Sequence, residues 1–368
     1  MGRLNIDILS APKEIKDSLK LLSAHIDFQR EVTKGSNGYL YFGFNTILRR
    51  KVAVKYYYWG GDKAYHAEPS NLVQIKSEAV IEIFTAGLSG SEWAYFVTPH
   101  FRNGDLEDLI GSTSIGTKSA VTFVSQILTG LTHLHGSSFL HRDLKPQNIF
   151  IGDAGQALIG DFGSVRALPR GATGVPGSGH SILYRPPESF ETGVYGKAGD
   201  IYQVGILLYQ LLGGFLPYDE ISWLTNAERR RYDNMPDPVD RTIFADQILG
   251  KKICKGKILR MATLPPWVTA DLRRTINKAC NCHHHKRFES ATAMFAQLQK
   301  IKATMGDWNI IEGHPTRFGN VKYRIIPGRK DNSYKVEKCK NAGWRADNNF
   351  PEDCLEEQVK NIEIYCSA

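Results

Sequence analysis

Cysteine is scarce in this chain: six in 368 residues, without the dense, regular spacing of a disulfide-stapled domain. Long apolar runs are missing too. The most apolar stretch, Ile201 to Tyr218, holds Gln203, Gln210 and the pair Gly213-Gly214, and suits a buried core helix better than a membrane span. No positively charged start leads into an apolar run and a small-residue cleavage site, so the expectation is a cytoplasmic chain with no membrane partner. Charge is spread out. Lys and Arg number 46 against 38 Asp and Glu, an excess of eight with no basic stripe and no interleaved aromatics, which argues against nucleic acid. A modest positive balance instead suits an anionic small ligand. Metal-like residues cluster only in Cys280-Asn281-Cys282-His283-His284-His285, and a structural zinc site needs a second ligand pair that nothing supplies at the right spacing. What remains is an ordinary globular composition, 42% hydrophobic and 23% charged.

The most informative stretch is His141-Arg142-Asp143-Leu144-Lys145-Pro146-Gln147-Asn148, followed thirteen residues after Asn148 by Asp161-Phe162-Gly163. A lone D-F-G would be no more than a strand end and a turn. The two strings at this distance resemble the catalytic loop and metal-binding motif of protein kinases. The resemblance implies that Asp143 orients the attacking hydroxyl, that Asn148 and Asp161 hold magnesium against the phosphates of ATP, and that Lys145 neutralises charge on the transferred group. A Lys two residues past the Asp is the type found where the acceptor is Ser or Thr.

Upstream, the chain opens with a short amphipathic helix in which Ile15, Leu19 and Leu22 share a face. From Ile26 to Tyr58 the pattern is that of strands. Thr33-Lys34-Gly35-Ser36-Asn37-Gly38-Tyr39-Leu40 resembles a glycine-rich loop whose first glycine is Thr33. Thr33, Gly35, Ser36 and Gly38 would then lie over the phosphates, where backbone amides must approach closely. Val52-Ala53-Val54-Lys55 places Lys55 on the α/β-phosphates. Its carboxylate partner is expected to be Glu68, rather than Glu78 or Glu82, at the start of a short helix with Pro69 in its first position. Trp93 to Phe101 reads as strand and hinge, with Thr98 guarding the back pocket and backbone groups of His100 and Phe101 on the purine edge.

Downstream, Ser119 to Gly136 is helical, with Val121, Val124, Leu128, Leu131 and Leu134 at spacings of three and four. Ile149-Phe150-Ile151 and Ala157-Leu158-Ile159 form a hairpin that delivers Asp161. Ser181-Ile182-Leu183-Tyr184-Arg185-Pro186-Pro187-Glu188 is similar to the end of a kinase activation segment, with Ser181 expected beside Asp143 and Lys145. Within that segment Thr173 and Ser178 are candidate phosphorylation sites that Arg142 and Arg166 would receive. Asp200 is expected to anchor the catalytic loop, and Arg287 to pair with Glu188. The resemblance covers residues 26 to 302. Beyond it, Tyr323 to Ile326 and Ser333 to Val336 alternate like strands, and Cys354 to Tyr365 reads as a helix.

The expected fold is α+β: a bilobal protein-kinase-like domain over 26–302, with a β-rich N-lobe (26–99) and a helical C-lobe (104–302). A lead-in helix (1–25) and a small C-terminal β-rich appendage (303–368) flank it. The expected activity is transfer of the ATP γ-phosphate to Ser or Thr hydroxyls of protein substrates, autophosphorylation included. Two alternatives stand beside it: a pseudokinase or scaffold that only binds, and a small-molecule phosphotransferase, which would generally lack the Ser181-to-Glu188 segment.

Overall fold

The computed structural model describes residues 3–32, 38–60, 73, 75–177, 181–340 and 343–367. Aromatic and β-branched residues crowd the first third of the chain and form one antiparallel sheet. Its strands are β1 (Ile26–Val32), β2 (Gly38–Asn45), β3 (Arg50–Tyr58), β4 (Thr85–Ser89) and β5 (Trp93–Pro99), in the order β1-β2-β3-β5-β4. Alternation along β3 decides which side chain faces where. Val52, Val54 and Tyr56 are fully buried on the outer face. Ala53, Lys55 and Tyr57 point the other way, and Tyr57 stacks on Phe96 at 4.8 Å within the main core.

Helix α1 (Lys13–Leu22) closes the outer face of that sheet. Ile15 and Leu19, one turn apart, are both wholly buried there. The Tyr56 hydroxyl donates to Ser18 Oγ at 2.8 Å, and Ser89 Oγ donates to the Glu14 carbonyl at 2.8 Å. The lead-in helix therefore shares one core with the N-lobe, although Leu22 is only partly covered.

The second lobe is built on α2 (Leu106–Ser112), α3 (Thr117–Gly136), α4 (Pro187–Glu191), α5 (Lys197–Leu211), α6 (Asn226–Asp233), α7 (Pro238–Cys254), α8 (Ala270–Ala279) and α9 (Ala291–Thr304). Every residue of α5 from Gly199 to Leu211 is buried, as an apolar-all-round helix requires. Short strand pairs lie against these helices: β6 (Phe139–Leu140) with β9 (Arg166–Ala167), β7 (Ile149–Ile151) with β8 (Ala157–Ile159), and β10 (Val175–Pro176) with β11 (Val194–Tyr195). The two lobes are joined by backbone as well. Ile81 N–H donates to the Ile159 carbonyl at 2.9 Å, and Ile159 N–H to that of Ala79 at 2.9 Å.

The C-terminal unit is a five-stranded antiparallel meander, β12 (Asp307–Ile311), β13 (His314–Phe318), β14 (Lys322–Pro327), β15 (Tyr334–Cys339) and β16 (Arg345–Ala346), followed by α10 (Leu355–Ser367). Its own core contains Trp308, Tyr323, Ile325, Val336, Phe350, Val359 and Ile362. Trp308 stacks on Trp267 of the second lobe at 5.9 Å. Helix α3 starts at Gly116, which offers no side-chain cap. Asp307 Oδ1 instead accepts the Lys118 amide at 3.1 Å, and the Thr117 hydroxyl donates to the Gly306 carbonyl at 3.1 Å. Among the described residues no helix is long and apolar enough to cross a membrane.

Because Leu19 is wholly buried while Leu21 is 78% exposed, Leu19→Ala is expected to cost about 2 to 5 kcal/mol of stability. Leu21→Ala, two positions on, should cost less than about 0.5 kcal/mol. Chemical denaturation of both variants checks this, and equal losses would detach α1 from the sheet.

Candidate active site

The loop between β6 and β7 carries polar backbone groups through the interior, and those groups need partners. Asp200, in the first turn of α5, supplies two: its carboxylate accepts His141 N–H at 3.0 Å and Arg142 N–H at 2.8 Å. Gln203, one turn further, takes the Leu144 amide at 2.8 Å and donates to the Arg142 carbonyl at 3.1 Å. The ring of His135 from α3 donates to Asp200 at 2.8 Å. Burial pushes the Asp200 carboxyl up, but His135 and the other donors outweigh it and hold the group below the ordinary carboxylate range.

That anchored loop presents Asp143, 4% exposed. Lys145 Nζ donates to Asp143 Oδ2 at 2.8 Å and to Ser181 Oγ at 2.6 Å. Asn148 Nδ2 donates to the Asp143 carbonyl at 2.6 Å and to Asp143 Oδ2 at 3.0 Å. The other oxygen, Oδ1, is buried and has no partner among the described residues.

Asp161 arrives at the end of the β7–β8 hairpin and pairs with Lys55 of β3, an ion pair between the two lobes. Burial pushes the Asp161 carboxyl up. The Lys55 ammonium and its hydrogen bond, with Lys145 beyond, more than offset this and hold it below its ordinary value. Phe162 is buried edge-on to Phe96 at 5.9 Å. Arg142, Asp161 and Ser181 all take positive φ, at 73°, 54° and 41°, so backbone strain gathers in the segments that carry the site.

Asp143, Lys145, Asn148, Ser181, Asp161 and Lys55 are thus brought together. Thr98, opposite Ala53 in the ladder, shares the cleft face of the sheet with Lys55. The His100 amide donates to the Lys51 carbonyl at 3.3 Å, and the Phe101 ring stacks on Phe150 at 5.3 Å. Burial, with Lys51 and Arg30 nearby, holds the His100 imidazole pKa below its usual value. A Cβ on Gly38 would run into the Tyr56 carbonyl, so glycine is needed at that close approach. Thr33, Gly35, Ser36, Glu68 and Ser178 lie outside the described residues.

The expected bridge below the site is present. Arg287 donates from both Nη atoms to Glu188, at 2.8 and 2.7 Å, and both side chains are buried. The Cys/His run leads into this arginine. Cys280 lies with its Sγ 3.6 Å from the Tyr202 carbonyl, and burial pushes its thiol up to about 12. The sequence reading missed His135, Gln203 and Tyr195, the last of which donates to Asp200 at 2.7 Å. They lie 65, 3 and 5 residues from Asp200, and only the i,i+3 spacing of Gln203 offers a local signal.

Residues 26–297 match the protein kinase domain family, and the chain belongs to the protein kinases. Its relatives are of the Ser/Thr type. It is similar to serine/threonine-protein kinase PknL of Mycobacterium tuberculosis, at 28% identity over 59% of this chain and 56% of that one. PrkC of Bacillus subtilis is 28% identical over 54% of this chain and 32% of its own length. For pkn2 of Myxococcus xanthus the figures are 30%, 55% and 26%. The chain therefore matches between about a quarter and just over half of the length of these relatives.

Removing the cation across the cleft tests the ion pair. In Lys55→Met the Asp161 carboxyl stays in its enclosed position without its main counter-charge, so its pKa is expected to rise above the ordinary value of about 4. Carboxyl carbon shifts against pH report it. An unmoved titration would show that Lys55 does not set the state of Asp161.

Proposed function

We propose that the chain is an active serine/threonine protein kinase, moving the γ-phosphoryl group of ATP to Ser or Thr hydroxyls of protein substrates and of itself. One observation carries this reading. Lys145 ties Asp143 to Ser181 while Asp143 Oδ1 is buried with no partner among the described residues, an acceptor suited to a substrate hydroxyl.

In this mechanism the substrate hydroxyl oxygen attacks the γ-phosphorus as the bond to the β,γ-bridging oxygen breaks. The hydroxyl proton passes to Asp143 Oδ1, and ADP departs. Lys145 offsets charge on the transferred group. Lys55, held by Glu68, contacts the α- and β-phosphates, over which Thr33, Gly35, Ser36 and Gly38 close. With the His100 amide engaged by Lys51, the His100 carbonyl and the Phe101 amide face the purine, and Thr98 lies behind it.

The donor set fits a hard divalent cation: the Asp161 carboxylate, and the Asn148 amide oxygen turned free by the bonds its Nδ2 makes to Asp143. Magnesium bound there would offset the negative charge of the phosphate oxygens. Catalysis by the chain itself is mostly positioning: the nucleotide sits between an N-lobe of 26–99 and a C-lobe of 104–302, and the acceptor peptide lies along the segment ending at Glu188. The lead-in of 1–25 and the extension of 303–368 flank this domain, in the cytoplasm.

A binding-only scaffold has no use for an orphaned acceptor beside a lysine. Incubation with labelled ATP and magnesium, wild type against Asp143→Ala, separates the two readings. Transfer to protein Ser and Thr should fall at least about a hundredfold in the variant, with nucleotide affinity retained. Equal labelling of the two proteins, or none in either, would remove the enzymatic reading.

A further inference from the structure

The segment between Gly163 and Glu188 is stitched to the lobe at two places. Near its start β9 pairs with β6, and Leu168 N–H donates to the Ser138 carbonyl at 2.7 Å. Further on, Val175 and Pro176 of β10 pair with Tyr195 and Val194 of β11, and Gly177 N–H donates to the Gly193 carbonyl at 2.7 Å. Val175 and Tyr195 are buried together with Leu140 in a small core of their own. Gly174 allows the approach, since a Cβ there would stand 2.6 Å from Val194 and 2.8 Å from the Tyr195 carbonyl.

The second stitch is wired to the catalytic loop. The Tyr195 hydroxyl donates to Asp200 Oδ1 at 2.7 Å, the same oxygen that takes the Arg142 amide. The Arg142 guanidinium then reaches back to the segment, donating to the Ser164 carbonyl at 3.0 Å and the Pro176 carbonyl at 2.8 Å. Pro176, Arg142, Asp200 and Tyr195 form a closed circuit. Arg142 is 7% exposed, and a cation so buried ordinarily has an anion beside it. Here two backbone carbonyls take the bonds of its Nη atoms, the Asp200 and Asp143 carboxylates lie near enough to favour its charge, and Nε is left buried with no partner among the described residues.

We infer that Tyr195 is a positioning residue which, with Arg142, locks the activation segment onto the catalytic loop, and that this lock holds the segment in place with no phosphate on it. The inference rests on the kinase reading above and concerns how that site is regulated. Thr173 is exposed and contributes no side chain to the circuit. Ser181 lies further along the same segment, against Lys145, so the effect of the lock is expected on the acceptor side and not on the nucleotide.

Tyr195→Phe removes only the hydroxyl. In the full-length, phosphatase-treated protein with casein as acceptor, it should lower kcat/KM about tenfold, the size of one lost hydrogen bond to a charged group. The change should fall on the acceptor KM, leave the nucleotide dissociation constant unmoved, and speed limited proteolysis between residues 163 and 177. Phosphatase-treated wild type and Thr173→Ala should keep activity within about twofold of untreated protein. Loss of most activity on phosphatase treatment, restored by rephosphorylation, would overturn the phosphate-free lock. Wild-type acceptor KM and cleavage rate in Tyr195→Phe would overturn the role of Tyr195. A wild type that transfers no phosphate would instead sink the kinase reading, and the proteolysis comparison would still decide the lock.

Discussion

One buried carboxylate organises the second lobe. Asp200 is wholly buried, and its two oxygens take hydrogen bonds from the His135 ring, the His141 and Arg142 amides and the Tyr195 hydroxyl. An ionised group removed from water costs several kcal/mol unless its partners replace the hydration it loses. Four donors do so here, helped by its place in the first turn of α5, where the helix dipole favours negative charge. The consequence is mechanical. Helix α3, the catalytic loop, α5 and β11 all end on one pair of oxygens, and none can shift without leaving a buried charge short of donors.

That anchoring explains how the site tolerates strain. Arg142, Asp161 and Ser181 hold left-handed backbone conformations, at a cost of about 1 to 3 kcal/mol each. Each is over-determined. The Arg142 amide is fixed by Asp200, Asp161 is tied across the cleft to Lys55, and Ser181 is held by Lys145. The strained backbone aims each side chain at its own partner, Arg142 at the Ser164 and Pro176 carbonyls, Asp161 at Lys55 and Ser181 at Lys145. Relaxed conformations would scatter them.

Much of this was legible in the sequence, for a physical reason. Phosphoryl transfer needs particular charges at fixed short separations, so His141 to Asn148 and Asp161 to Gly163 are local strings. Lys55 is readable because a lysine is unusual within so apolar a strand, although β3 continues past it to Tyr58. The contacts between distant residues are another matter. The amphipathic pattern of α1 shows that Ile15 and Leu19 need cover, but not that the outer sheet face supplies it. Tyr195 and His135 lie just outside the motif strings, five residues before Asp200 and six before His141, and a hydrogen bond to Asp200 leaves no periodicity behind it. The expected partner Glu68 lies outside the described residues, and what those residues add is the pairing of Lys55 with Asp161, a contact between lobes that no spacing encodes.

The C-terminal unit acts on the catalytic lobe through the same kind of long-range contact. Helix α3 has 20 residues, a rod of about 30 Å whose far end feeds the catalytic loop. The first turn of any helix carries amides without internal partners and tends to fray. Gly116 cannot help, and Asp307, 189 residues from the amide it accepts, does. Its negative charge also meets the positive end of the helix dipole. Trp308, buried in the extension and stacked on Trp267, fixes Asp307 in that position. Fraying of α3 must therefore first undo the joint with the extension, and a helix secured at that end holds His135, at its other end, in register with Asp200.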